Sequence, residues 1–297
     1  MKQAAMIFLT VAVASFAIAQ QSTSAKQNPP AGGAAAQGTA APAKRPPQAK
    51  TQAEFDAYKA AMANPTDGAA MEKAADDFAA KFPDSELRVL LYRVAMHAYQ
   101  GTNNADKMYE MAQKDLKLDA DDPEALIGSS EVIAERTRDT DLDKDQRWAE
   151  AQKEAQHALE TIDTDLAIPA GNPQDKIDAY KGYLRSSAYS VLGTIAFTQE
   201  KYPDAEGYFR KSIDAYPAQL DPVVVLRLAI TLDKQGRYPE ALKEANHAVD
   251  LTQENTTSGT LARRERDRLV QLTGGSTPAP ASKPPASSAT TPAPPSH

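Results

Sequence analysis

From residue 51 onward, apolar and polar positions alternate at helical spacing, and each run stops at a proline, a glycine or a polar cluster. Phe55, Tyr58 and Met62 recur three or four residues apart, and Asn64-Pro65 ends the run. Asp67 is placed to cap a second helix carrying Met71, Ala74, Ala75, Phe78 and Phe82, which Pro83 closes. Two short helices back to back predict a helical hairpin. A second hairpin opens at Ser85, with Leu87, Leu91, Val94, Ala95 and Ala98 on one face. It turns at 101–104 and returns through Met108, Met111, Ala112 and Leu116. Methionine at that spacing reads as core filler, not as a metal or cofactor box. A third hairpin starts at Pro123 with Leu126, Ile133 and Ala134. An acidic insert at 136–147 interrupts it before Trp148, Ala151, Ala155, Ala158 and Leu159 resume the face.

Residues 161–174 then link to a long helix that Asn172 can cap, with Pro173 at its first position. Ile177, Tyr180, Leu184, Ala188, Val191 and Ile195 form one seam along it. Ser212, Ile213 and Tyr216 belong to its returning partner, and a fifth hairpin runs from Pro222 to Thr252. A single helix at 260–273 completes the pattern. Leu261, Leu269 and Leu272 are expected to face the array, with Arg263, Arg264, Arg266 and Arg268 toward water and Gly274-Gly275 as the stop.

The two hairpins at 186–253 say nearly the same thing twice. Tyr202-Pro203-Asp204-Ala205 returns as Tyr238-Pro239-Glu240-Ala241, with a small residue, Gly193 or Ala229, at the same distance upstream of each final Ala. Residues 153–160 echo 243–250. Repetition at this period means stacked units.

The pair resembles the tetratricopeptide repeat, a pattern of ~34 residues. Tyr189, Leu192, Gly193, Ala205, Phe209 and Pro217 match it in one copy, with Ser212 replacing the second Ala. Val225, Leu228, Ala229, Leu232, Gly236, Tyr238, Ala241, Ala245 and Ala248 match it in the next, where Gln253 replaces the Pro. Residues 123–163 match fairly, and 51–122 match in shape more than in letters. The small residues are expected to let Ala205 and Ala241 approach the opposite helix closely. The resemblance implies an all-α fold, a right-handed solenoid of antiparallel hairpins with approximate units 51–84, 85–122, 123–163, 173–219 and 222–253 and a capping helix at 260–273.

The ends differ in kind. Residues 1–19 carry Lys2, a small apolar run from Ala4 and Ala17-Ile18-Ala19 before Gln20, the pattern of a cleaved secretory signal. That run is shorter than the ~20 apolar residues a membrane span needs. The expected location is periplasmic or secreted. Residues 20–50 (Pro, Ala, Gln) and 274–297 (Pro, Ala, Ser) have little to bury and read as disordered tethers. The net charge of -7 argues against nucleic-acid binding. The absence of cysteine excludes disulfides, thiolate metal sites and a cysteine nucleophile.

The candidate chemistry is sparse. Residues 139–145 bring four Asp together, with Glu150 where a calcium loop places its last ligand, but Lys144 stands where that loop needs glycine. A solvated loop is the expectation. His157 and His247 occupy equivalent repeat positions, and Lys211 fills the same place between them, so the position is a polar helix face and not a ligand site. No nucleophile, phosphate or dinucleotide motif appears. Neither an enzyme nor a cofactor or metal is expected. By the family's register, the concave groove falls at Ser187, Ser190, Thr194, Phe197, Thr198, Leu226, Ile230 and Asp233. This implies a protein or peptide partner bound there, in a non-catalytic interaction scaffold of the bacterial cell envelope. The alternative is a self-assembling component, a homo-oligomer that uses Tyr180 and Tyr183 on the long helix.

Overall fold

The computed structural model describes residues 44–168 and 171–274. The expected signal at 1–19, the tether up to residue 43 and the tail from 275 lie outside the described residues. Those described hold eleven helices and no strand. They pair as α1 (Gln52–Ala61) with α2 (Gly68–Lys81), α3 (Arg88–Gly101) with α4 (Ala105–Leu116), and α5 (Pro123–Arg136) with α6 (Lys144–Thr161). Then come α7 (Gln174–Thr198) with α8 (Tyr202–Ala215), α9 (Pro222–Lys234) with α10 (Tyr238–Asp250), and the unpaired α11 (Thr257–Leu272). Each helix packs on its successor, so the molecule is a stack of antiparallel hairpins.

The repeat is visible in the backbone. Asn103, Glu200 and Gly236 sit at the same place in three hairpin turns, with φ of 57°, 58° and 74°. The next residue's N–H donates back over the last turn in each: Asn104 to Tyr99 at 3.0 Å, Lys201 to Ala196 at 2.9 Å, and Arg237 to Leu232 at 3.0 Å. This is a glycine-type helix stop used three times. Only Gly236 adopts it without side-chain strain. Side chains cap the starts as well. Asp67 accepts from Ala70 N at 3.0 Å, as its position predicts, and Asp221 accepts from Val223 N at 2.8 Å. At α7 the N-cap position falls at Pro173, one residue later than Asn172, and the helix starts at Gln174.

Other expectations change as well. Residues 44–50 are not tether but an extended strap. Lys44 N donates to Thr164 O, Lys44 Nζ reaches Asp119 at 2.6 Å, Arg45 pairs with Glu86, and Lys50 Nζ donates to Asp84 O. A short basic stretch here finds acidic inter-hairpin loops, a gain that composition alone does not reveal. The acidic insert is shorter than expected, because α6 already begins at Lys144 and takes in Asp145. Asp141 turns onto the Arg138 N–H at 2.9 Å.

On α11 it is Ala262 and Leu269 that are buried, while Leu261 and Leu272 stay half exposed. Arg268 is not simply solvated, since it pairs with Asp233 of α9. The space over Gly193 is filled by Phe209. A Cβ there would lie 2.6 Å from the ring, although Ala205, Ala229 and Ala241 are themselves fully buried as expected.

Candidate functional site

In a hairpin stack, the first helices of successive hairpins line one side. Here α5, the first helix of the third hairpin, is buried from its N-cap Asp122 through Ser130. The lengthened start of α7 covers it. Leu184 and the half-buried Tyr180 join Leu126 and Ile127 in one cluster. Between α3, α5 and α7 a cavity of about 20 Å³ remains, room for about one water.

Beneath this cover lies a charged network that the apolar pattern hides. Arg93 is buried in α3 within an otherwise apolar run and forks to two carboxylates of the next hairpin. One fork meets Asp122, and Nη1 meets Glu124 at 3.2 Å. Asp122 spends its other oxygen on the start of α5, accepting from Glu124 N at 2.9 Å and Ala125 N at 3.3 Å. Glu124 also receives His97 Nε2 at 2.7 Å and the Tyr180 hydroxyl. Burial alone would raise the Glu124 pKa, but Arg93, His97 and Tyr180 outweigh it and hold the carboxyl at about 2. Asp115 shares the cluster without a hydrogen bond to either oxygen, and burial pushes its pKa well up. The network therefore binds α3, the α4–α5 junction, α5 and α7 into one rigid block. Sequence reasoning passed over it. The available signal was an arginine inside Val89-Leu90-Leu91-Tyr92-Arg93-Val94-Ala95-Met96.

His97 gives this block a pH dependence. Burial lowers its pKa, yet the bond and charge of Glu124 more than compensate, so it stands above its ordinary value of 6.5. A raised folded-state value means that the contribution is full below about pH 6.5 and is lost as pH rises through the raised value. Glu124 stays ionised throughout that window. The gap in melting temperature between wild type and His97→Gln is expected to be wider at pH 6 than at pH 9. An equal gap at both would refute the assignment.

The expected groove residues divide into two groups. Leu226 is buried and Ile230 packs beside it, against Ala248 and Ala262, and Asp233 pairs with Arg268. All three serve the α9–α11 interface, so α11 occupies the face where a following repeat would pack. Phe197 packs toward the α7–α8 turn, its ring 5.7 Å from Tyr202.

Ser187, Ser190 and Thr194 remain half-buried on α7. Thr194 accepts from Arg227 of α9 at 2.7 Å, and Arg227 reaches Glu135 of α5 at 3.6 Å. Gln100 of α3 donates to Glu131 of α5 at 3.3 Å, beside Tyr183 and Ser187. These contacts trace a polar stripe across four first helices. Tyr180 is committed to Glu124 and stacks on Tyr183 at 6.3 Å. His157 meets Asp121 at 2.7 Å, and His247 lies 3.7 Å from Glu244. Among the described residues, no three potential metal ligands cluster, and no helix is long and apolar enough to cross a membrane.

No protein-family model matches the chain, and neither does any curated protein. Solved structures resemble it at low identity. YrrB, a TPR protein with an unusual peptide-binding site, is 15% identical over 68% of this chain and 86% of its own, with a TM-score of 0.42. Pseudomonas aeruginosa PilF is 19% identical over 76% and 96%, with a TM-score of 0.48. A thermophilic TPR protein of Thermus thermophilus, TTC0263, is 11% identical over 74% and 100%, with a TM-score of 0.44. The hairpin architecture of this chain rests on its own helices and its three repeated turns.

Proposed function

We propose that this stack of tetratricopeptide-like hairpins is a non-catalytic protein-interaction scaffold that takes a peptide or helix along its first-helix side. The observation that carries the reading is the stripe from Gln100 through Glu131, Tyr183, Ser187, Ser190 and Thr194 to Arg227. It runs across four hairpins, and its α3–α5 end adjoins the buried Arg93 network, so a partner laid there meets groups already fixed in place. Export to the cell envelope is part of the proposal. Its support is the apolar start of the chain and Ala17-Ile18-Ala19 before Gln20.

The test uses a photocrosslinking amino acid at Ser190 of the full chain in intact cells, with Gln156, exposed on α6, as the control position. Ser190 is expected to capture a discrete protein in the envelope fraction, on a chain beginning at Gln20, and Gln156 is not. Equal capture from both positions, or none from Ser190, would overturn the reading.

A further inference from the structure

The strap at 44–50 is fastened differently at its two ends. The C-terminal end is buried. Glu54 of α1, 3% exposed, accepts from Lys50 N at 2.6 Å and from the Ser85 hydroxyl, and Thr51 caps α1 by accepting from Glu54 N at 3.1 Å. Ala49 packs on the core beside them. The N-terminal end is held mainly by charge at the surface. Lys44 Nζ meets both Asp119 oxygens at 2.6 Å and lies 3.8 Å from Asp165, and Lys44 N donates to Thr164 O at 2.6 Å. The Arg45 side chain, 62% exposed, meets Glu86 at 2.7 Å. Between the two ends stands Pro46-Pro47, whose fixed φ angles make a stiff spacer.

We propose that residues 44–50 are an ionic latch, hinged at Ala49-Lys50 and fastened at Lys44 and Arg45, that seats α1 on the central block and releases it when those ion pairs are screened. Glu86, Asp119 and Thr164 stand in the loops that join the first four hairpins in succession, so one short segment ties three inter-hairpin steps together. The Arg93 network already locks α3, α5 and α7. Helix α1 stands outside that network, packed chiefly on α2, with Tyr58 in the cluster of Leu87 and Leu91. A terminal helix with one main neighbour is the element most easily unseated. The stiffness of Pro46-Pro47 transmits the hold at Lys44 to α1, where a slack chain would absorb it. Exposed ion pairs are weak and fall with salt, whereas the buried Glu54 hinge is screened far less, so the latch end opens first. The inference does not depend on which partner the stack binds.

The chain has no cysteine, so pairs of introduced cysteines can be spin-labelled in the full chain and their separation read by dipolar spectroscopy. Ala60→Cys on α1 with Gln156→Cys on α6 reports the latch, and Gln156→Cys with Lys243→Cys on α10 is the control; all three positions are exposed. The α1–α6 distance distribution is expected to be narrow at low salt and to broaden by about twofold near 1 M, where the screening length is about 3 Å. Lys44→Glu with Arg45→Glu should give the broad distribution already at low salt, with no further response to salt. Pro46→Gly with Pro47→Gly keeps the charges but slackens the spacer, and should broaden the distribution at low salt as well. The control pair is expected to stay narrow throughout. An α1–α6 distribution in the wild type that ignores salt, or one unchanged by Lys44→Glu with Arg45→Glu, overturns the latch. Equal broadening of both pairs also overturns it, because the effect would then be a general loosening of the stack.

Discussion

Arg93→Met should destabilise the central hairpins by about 3–5 kcal/mol, the cost of leaving a buried ion pair with one partner. Methionine fills similar volume, so the loss is electrostatic. Asp122 and Glu124 remain buried next to it, and Glu124 loses the charge that holds its pKa at about 2. Both must then shed their charge by taking up protons or draw water into the block. The sign of the pH dependence follows. With the cation gone, the folded-state pKa of Glu124 rises, so the variant recovers stability toward acid pH, whereas in the wild type the Glu124 contribution is kept down to about pH 5 and lost only as pH falls from about 4.5 toward 2. Urea melts at pH 5 and pH 7 check this, with hydrogen exchange in α3 and α5 to localise the loss.

Asp115→Asn is the internal contrast. Its carboxyl makes no hydrogen bond and is already driven toward the neutral form, so the amide should be tolerated or stabilising at pH 7. If Arg93→Met costs less than about 1 kcal/mol at pH 7, the network is not what holds the block together.

That network marks the limit of what the apolar pattern reveals. Local features were legible. Asp67 caps its helix, Pro203 and Pro239 sit in first turns, and the repeated small residues fall in the hairpin interfaces. Each depends on residues a few positions apart, where spacing fixes geometry. Arg93 and Asp122 lie 29 residues apart, and only the stacking of α3 on the start of α5 brings them together. Leu226 and Ile230 show a second kind of limit. Periodicity identifies an apolar face but not what covers it, and here α11 covers it instead of a ligand. The strap at 44–50 is a third case, because its anchors are mostly ion pairs and hydrogen bonds, with Ala49 packing on the core beside them. Register therefore places Ser190 and Thr194 on α7, but it does not reveal the buried network that meets the same helix at Tyr180.

The hairpin that carries those two residues supplies the other large effect. Phe209→Ala is expected to cost about 3–5 kcal/mol, since the ring is fully buried and sits over Gly193. Gly193→Ala alone should cost about 1–3 kcal/mol, because its Cβ would meet the ring at 2.6 Å and one of the two must move. Combined, the two changes should not add. Without the ring, the new methyl enters space that the first substitution emptied, and alanine in a helix interior is better than glycine by about 1 kcal/mol. The double variant should therefore be at least as stable as Phe209→Ala, with a coupling energy of roughly 2–4 kcal/mol across the cycle.

Strict additivity would show that Gly193 is not there to seat Phe209. The same variants bear on function. Gly193 lies one residue from Thr194, so loosening α7 against α8 in Phe209→Ala should lower photocapture from Ser190. Gly193→Ala in that background should restore part of it, tying the small-residue position of the repeat to the surface on which a partner would lie.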